Sequence, residues 1–300
     1  MATRWLAFAF GFPPLAARDL VVSPDGPYKT ILEAVGEAKE GDSIYVKAGR
    51  YLESKSVVVS RAVRILGDDP RTVQVIGPQG AAATFLVDGA RAVHLDGLGI
   101  QAPATAGAAA VAVRGGSATI THCVLRAGSA NIGVDLGPTP KGSLATAIVN
   151  CVLHGSPLGT IALRASKCPP PLVRNAIFFQ AKTALSLGDV GAELSYNDFY
   201  QCADVTQPPP GNYAGLQPGF ANAGEWDYRL SAQAQSQCFD KGHPADAYKD
   251  ALADAGGTER CDLGRTGDPP PGFSRRTCRR SIRSPRRLDR ARLRSTSLSP

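Results

Sequence analysis

The hexapeptide "ITHCVL" at 120–125 returns 28 residues later as "IVNCVL" at 148–153. A chain that writes one short apolar phrase twice is constrained to stack the copies or to build two like units. The phrase continues, more loosely, as "LDGLGI" at 95–100, "VRNAIF" at 173–178 and "SYNDFY" at 195–200. Aligned on the third letter, one column reads Gly97, His122, Asn150, Asn175 and Asn197, at offsets of 25, 28, 25 and 22 residues. Between these phrases a second pattern recurs: "FLVDG", "VAVRG", "IGVDL", "IALRA" and "LSLGD". Internal repeats of about 20–30 residues are the mark of a solenoid.

The apolar runs are short, β-branched and bounded by Gly, Asn, Asp or Pro, which is strand patterning with turn punctuation. No stretch between 43 and 205 sustains a helical apolar stripe. Each unit is therefore two or three short strands. The expected fold is all-β: a single-stranded right-handed parallel β-helix whose coils stack about 4.8 Å apart. His122, Asn150, Asn175 and Asn197 are expected to form a structural turn ladder that pairs buried turn backbone. Cys123 and Cys151 read as stacked inward thiols.

A solenoid must cover its ends. "YKTILEAVGEAK" at 28–39 places Ile31, Leu32, Val35 and Ala38 on one helical face, with Gly41 as a stop signal, so it reads as an N-terminal capping helix. The coils are expected over about 43–205 and a loop-rich C-terminal cap over about 206–268. These make one β-helix domain over 18–268.

Both ends carry a resemblance. "SPDGPYKTILEAVGEAKEGDSIYVKAGRYLES" resembles the opening of the pectin lyase-like right-handed parallel β-helix superfamily. It resembles pectinesterases in particular, through Asp25-Gly26, Asp42 to Val46, and Gly49, Tyr51 and Glu53. "LQPGFANAGEWDYRLSAQAQSQCFDKGHP" with "CDLGRTG" is similar to the closing segment of secreted β-helix repeat proteins. The resemblance implies the fold over residues 19–267. It does not carry an active site. The Q-D-T, D-F-I-F-G and G-R-P-W motifs of pectinesterases are missing, and so are the N-T-D, D-D and G-H-G motifs of polygalacturonases. No column of Asp suggests the calcium cluster of a pectate lyase.

What remains is the outward stripe. Arg126, His154, Arg174, Tyr196 and Gln201 form a mixed polar and aromatic set suited to a sugar polymer, although an ordinary solvated sheet face has the same look. The sequence thus points to an exported or cell-surface protein that binds polysaccharide or another extracellular partner. The alternative is a lyase, glycoside hydrolase or carbohydrate esterase with a divergent active site. No cofactor is expected, and the absence of CxxC spacing argues against a zinc site. A monomer is expected.

Charge supports this division. The chain has a net charge of +7, but residues 275–294 hold ten Arg and one Asp, which leaves the remainder at −2. Nucleic-acid binding is therefore not expected of the folded body. Residues 269–300 read as a disordered Arg-rich tail, whether a basic contact for anionic polymers or the product of a reading-frame slip. Residues 1–17, with Arg4, an apolar run and Ala16-Ala17, resemble a secretory signal, against the alternative of a buried first strand. Export would permit disulfides, and Cys238 with Cys261 is the candidate pair. No run is long enough to span a membrane.

Overall fold

The computed structural model describes residues 17–205, 207–244 and 262–264. The expected signal segment falls almost wholly outside these residues, as do the Arg-rich tail and Cys261.

Three parallel sheets run along the molecule, and the chain visits them in turn through about seven turns. The first sheet contains eight strands, from Asp19–Val22 and Ser43–Val46 to Leu172–Arg174 and Glu193–Ser195. The second has eight, from Gly49–Leu52 to Tyr213–Ala214, and the third has six, from Val57–Val59 to Thr183–Ser186. The sheets thus begin upstream of residue 43, because Asp19–Val22 pairs in parallel with Ser43–Val46.

The period of the sequence is explained by the core. In the first sheet Leu20, Ile44, Ile65, Leu95, Ile120, Ile148, Val173 and Leu194 are register partners in successive coils. In the second the inward column is Tyr51, Val75, Ile100, Leu125, Leu153, Phe178 and Phe199. Each coil repeats an apolar letter because its neighbours above and below present the same surface, so mutual stacking removes both from water. Phe178 and Phe199 stack with centroids 4.8 Å apart and planes 17° apart.

The N-terminal end is closed as expected, by a shorter helix. Helix α1 spans Ile31–Glu37, with Thr30 and Glu33 forming a capping box and Ile31, Ala34 and Val35 buried. The residues that carried the family resemblance have structural tasks here. Glu53, buried at the start of the helix, accepts hydrogen bonds from the N–H groups of Ile31 (2.9 Å) and Leu32 (3.3 Å). Tyr51 donates to the Lys47 carbonyl at 2.7 Å. Asp42 accepts from the backbone N–H groups of Arg18 and Lys39, each at 2.8 Å, and from the Arg18 guanidinium. Burial pushes its carboxyl up, but these bonds outweigh it and hold the group below the usual range.

The ladder turn departs from the sequence alignment in its last coil. Gly97, His122, Asn150, Asn175 and Tyr196 all adopt positive φ and occupy one turn slot. Arg174 pairs with Ser195, so Tyr196, not Asn197, sits in the slot after Asn175. Asn197 falls one place later, behind Ala176. There its Oδ1 accepts from Ala176 N–H at 2.9 Å and its Nδ2 donates to Val173 O at 2.9 Å. The letter Asn suited both slots; hydrogen bonding to turn backbone decided between them.

In the third sheet the second repeat puts Asp88, Arg114, Asp135 and Arg164 at corresponding letters, which predicts one exposed column of alternating charge. Asp88 does pair with Arg114, and Asp135 with Arg164, but the register partner of Asp135 in the preceding coil is Ala112. Arg114 nevertheless bends back to Asp135, and Arg164 meets the same carboxylate with two bonds of 2.8 Å. Asp135 is buried rather than exposed. Burial would raise its pKa, but the Arg164 and Arg114 bonds outweigh that and lower it.

Candidate functional site

Two columns of side chains project outward from the second sheet. The first is Gly99, Val124, Val152, Ile177 and Asp198. The second, two residues further on, is Gln101, Arg126, His154, Phe179 and Tyr200. Tyr200, not Gln201, aligns with Phe179, which is the same one-residue slip seen at Asn197.

The first column is covered. After Tyr213–Ala214 the chain turns back across this face. A two-stranded antiparallel ribbon, Phe220–Asn222 with Asp227–Leu230, then places Trp226 and Tyr228 on Val124, Val152 and Ile177, with Cys238 and Leu263 alongside. Gly99 makes room for it: a β-carbon there would lie 2.5 Å from the Pro70 carbonyl and 3.1 Å from the Trp226 ring. The sequence carried a signal for this cover. A sheet apolar on both faces is covered on both faces, and Val124, Val152 and Ile177 face away from the core.

Asp198 ends the covered column. Its Oδ1 accepts from Leu216 N–H at 3.1 Å, while its buried Oδ2 has no hydrogen-bond partner. Burial lifts its pKa to about 7. Cys238, a buried free thiol in the same cluster, is likewise raised by burial, then by Asp198 and Asp262. Its expected disulfide partner, Cys261, lies outside the described residues.

The second column stays partly open, and a groove of about 310 Å³ lies beside it. Gln101, Arg126, Ala127, Gly128, Ser129, His154, Gly155 and Ser156 line it. The Arg126 guanidinium lies over the Trp226 ring at 4.5 Å from its centroid, a cation–π contact that leaves its edge N–H groups free to meet a ligand. His154 is wedged between Phe179, at 4.9 Å, and Tyr228, at 5.6 Å, both edge-on. The Tyr228 hydroxyl bonds His154 Nδ1. Burial, helped by the Arg126 charge, lowers the pKa of His154 to about 4, so the imidazole is neutral at pH 7. The hydroxyls of Ser129 and Ser156 meet at 3.4 Å across the rim. Among the described residues no Asp or Glu lines the groove.

The expected binding residues therefore separate. Arg126 and His154 share the groove. Gln201 lies in the turn that follows the second sheet and accepts from Gln180 Nε2 at 2.9 Å. Arg174 belongs to the first sheet, and Tyr196 to the turn between the first and second sheets, where its ring meets His243 at 4.9 Å. The ladder residues do not line the groove. His122 Nδ1 pairs with Asp96 at 2.8 Å, its Nε2 faces Asn150 Nδ2 at 3.3 Å, and Asn175 Oδ1 accepts from His243 N–H at 2.8 Å. Sequence reasoning missed Trp226, Tyr228 and Gln180, which reach this face only through the cap and the turn.

No protein-family model and no curated protein matches the chain. Among solved structures it is similar to a mutant of an alginate lyase of the PL6 family, at 14% identity and a TM-score of 0.42, over 67% of this chain and 34% of that one. The chain thus spans about a third of that enzyme's length. It is also similar to the pectin methylesterase of Aspergillus niger in its deglycosylated form, at 15% identity and a TM-score of 0.35, over 70% of this chain and 88% of that one. Three parallel sheets joined coil by coil decide the class. The fold is a parallel β-helix. No described helix is long and apolar enough to cross a membrane.

Proposed function

We propose that this β-helix is an exported, monomeric protein that binds an extracellular polysaccharide in the groove beside Arg126 and His154. The observation that carries the reading is the lining itself. Serine hydroxyls, the Gln101 amide and a neutral imidazole offer hydroxyl partners, and Arg126 supplies one cation for an acidic sugar. The aromatic rings of Phe179 and Tyr200, stacked 5.8 Å apart in near-parallel planes, continue the strip. Binding is favoured over catalysis because, among the described residues, no carboxylate lines the groove to act as acid or base, and the one imidazole there, His154, is buried and neutral.

The test pairs two measurements on the same full-length sample. A glycan array with neutral and acidic polymers should give binding that Arg126→Ala weakens about tenfold. A reducing-end and unsaturated-product assay on the same polymers should stay at background. Product formation that Arg126→Ala or His154→Gln removes would replace the binding reading with the enzyme alternative. No retention of any polymer would sink both.

A further inference from the structure

A chain of polar side chains runs outward from beneath the cap. It begins at Tyr228, fully buried, whose hydroxyl bonds His154 Nδ1 and no other described acceptor. The Gln180 side chain approaches the His154 ring. Gln180 Nε2 donates to Gln201 Oε1 at 2.9 Å, and Gln201 Nε2 reaches Tyr200 Oη at 3.3 Å. Gln180 and Gln201 occupy the same turn slot in adjacent coils, both at positive φ, with Gln180 N–H donating to the Tyr200 carbonyl. Their amides therefore stack by construction.

Donor accounting gives the chain one direction. A buried phenol must place its hydrogen on an acceptor or bear the cost of leaving it unpaired. His154 Nδ1 is the acceptor within reach, so Nδ1 is unprotonated and the neutral ring carries its proton on Nε2. Gln180 has committed one Nε2 hydrogen to Gln201, and its Oε1 is the acceptor it can offer to His154 Nε2–H. The two bonds then share one sense, Tyr228 to His154 and Gln180 to Gln201, and a donation from His154 Nε2–H to Gln180 Oε1 would join them.

We propose that Tyr228 is a positioning residue that sets the tautomer of His154 and, through it, the orientation of the Gln180 and Gln201 amides, so that the cap determines the donor–acceptor pattern offered to sugar hydroxyls. This rests on the polysaccharide reading for its ligand but not for its proton arrangement. The binding strip then extends from the Arg126 groove to Gln180, Gln201 and Tyr200, and it takes a hydroxyl-rich chain with its acidic group at Arg126.

The test reads the proton directly. Full-length protein labelled with nitrogen-15 gives long-range proton–nitrogen correlations for its four histidines, with the His154 signals assigned by their loss in His154→Gln. At pH 6.5 the His154 ring is expected to be neutral with Nε2 protonated. A charged ring, or a proton on Nδ1, overturns the proposal. In Tyr228→Phe the Nδ1 resonance should move away from its acceptor position toward a mixed tautomer, and glycan affinity should fall several-fold. In Gln180→Leu the Nε2–H tautomer should persist, because Tyr228 still sets it. A switch to Nδ1–H in Gln180→Leu would transfer the role to Gln180 and refute the assignment. If Tyr228→Phe fails to fold, the wild-type spectrum and Gln180→Leu still decide. Loss of all glycan binding with the expected tautomers would refute the proposed function and leave this inference standing.

Discussion

The two outward columns of the second sheet differ by two residues in sequence and by their whole environment in space. Gly99, Val124, Val152, Ile177 and Asp198 lie beneath the cap; Gln101, Arg126, His154, Phe179 and Tyr200 border the groove. Both are outer faces of the same strands. What separates them is the antiparallel ribbon that sets Trp226 and Tyr228 on the first column and leaves the second at its edge. A stripe on a solenoid face thus takes its environment from what lies beside it, and the column that looks least like a binding site builds the wall of the groove proposed as one.

The sharpest way to break this comparison is a charge in each column. Val152→Asp would bury a carboxylate between Val124, Ile177 and the cap, where no described group is poised to pair with it, and should cost on the order of 3–5 kcal/mol. Gln101→Asp, on the open column, should change stability by less than about 0.5 kcal/mol. Equal melting-temperature losses for the two variants would mean that the cap does not cover the first column.

Asp198 offers the next largest effect and a sign. Burial raises its pKa to about 7 from an unfolded value of 3.8. The folded chain therefore holds this proton more tightly than the unfolded one. The associated stability is fully present below the unfolded value, declines as pH rises from about 4 to about 7, and is flat beyond. Asp198→Asn keeps the Leu216 contact at Oδ1 and removes the buried charge. It should match wild type near pH 4 and exceed it at pH 8 by on the order of 3 kcal/mol. Urea titrations at three pH values would check this; parallel curves for the two proteins would contradict it.

The turn ladder comes third. Asn175→Leu removes the acceptor of His243 N–H and puts a γ-branched apolar side chain at a φ of 54°. A loss of roughly 1–3 kcal/mol is expected, against a smaller one for Tyr196→Asn, which suits the same slot better. The smallest stability effect belongs to Arg126→Ala. Losing the Trp226 stack should cost no more than about 1 kcal/mol, so its loss of glycan binding would reflect the groove and not the fold.

The fold was legible because a stacked coil must repeat itself. Ile120 and Ile148, or Leu125 and Leu153, read alike because each is the other's environment. Register was less legible. Asn197 resembled the ladder residues before it, yet Tyr196 took the left-handed turn position, and every letter after it moved by one. A single residue of coil length is invisible to an alignment that lets a favoured residue type choose the slot. Of the expected binding residues, only Arg126 and His154 reached the same groove, since Arg174 and Tyr196 belong to the first sheet and the turn that leaves it.

Sequence alone determined the one-dimensional part of this protein: parallel coils, an apolar interior column, a helix at the first end and the net positive charge confined to residues 275–294. Those follow from nearest-neighbour stacking, which needs only the period and the patterning of a strand. Tertiary structure decided which outer surface is covered, what packs over Arg126 and what bonds His154. Each of these depends on a segment 30 or more residues away in the chain, Trp226 against Arg126 and Tyr228 against His154. No periodicity encodes a contact that is made only once.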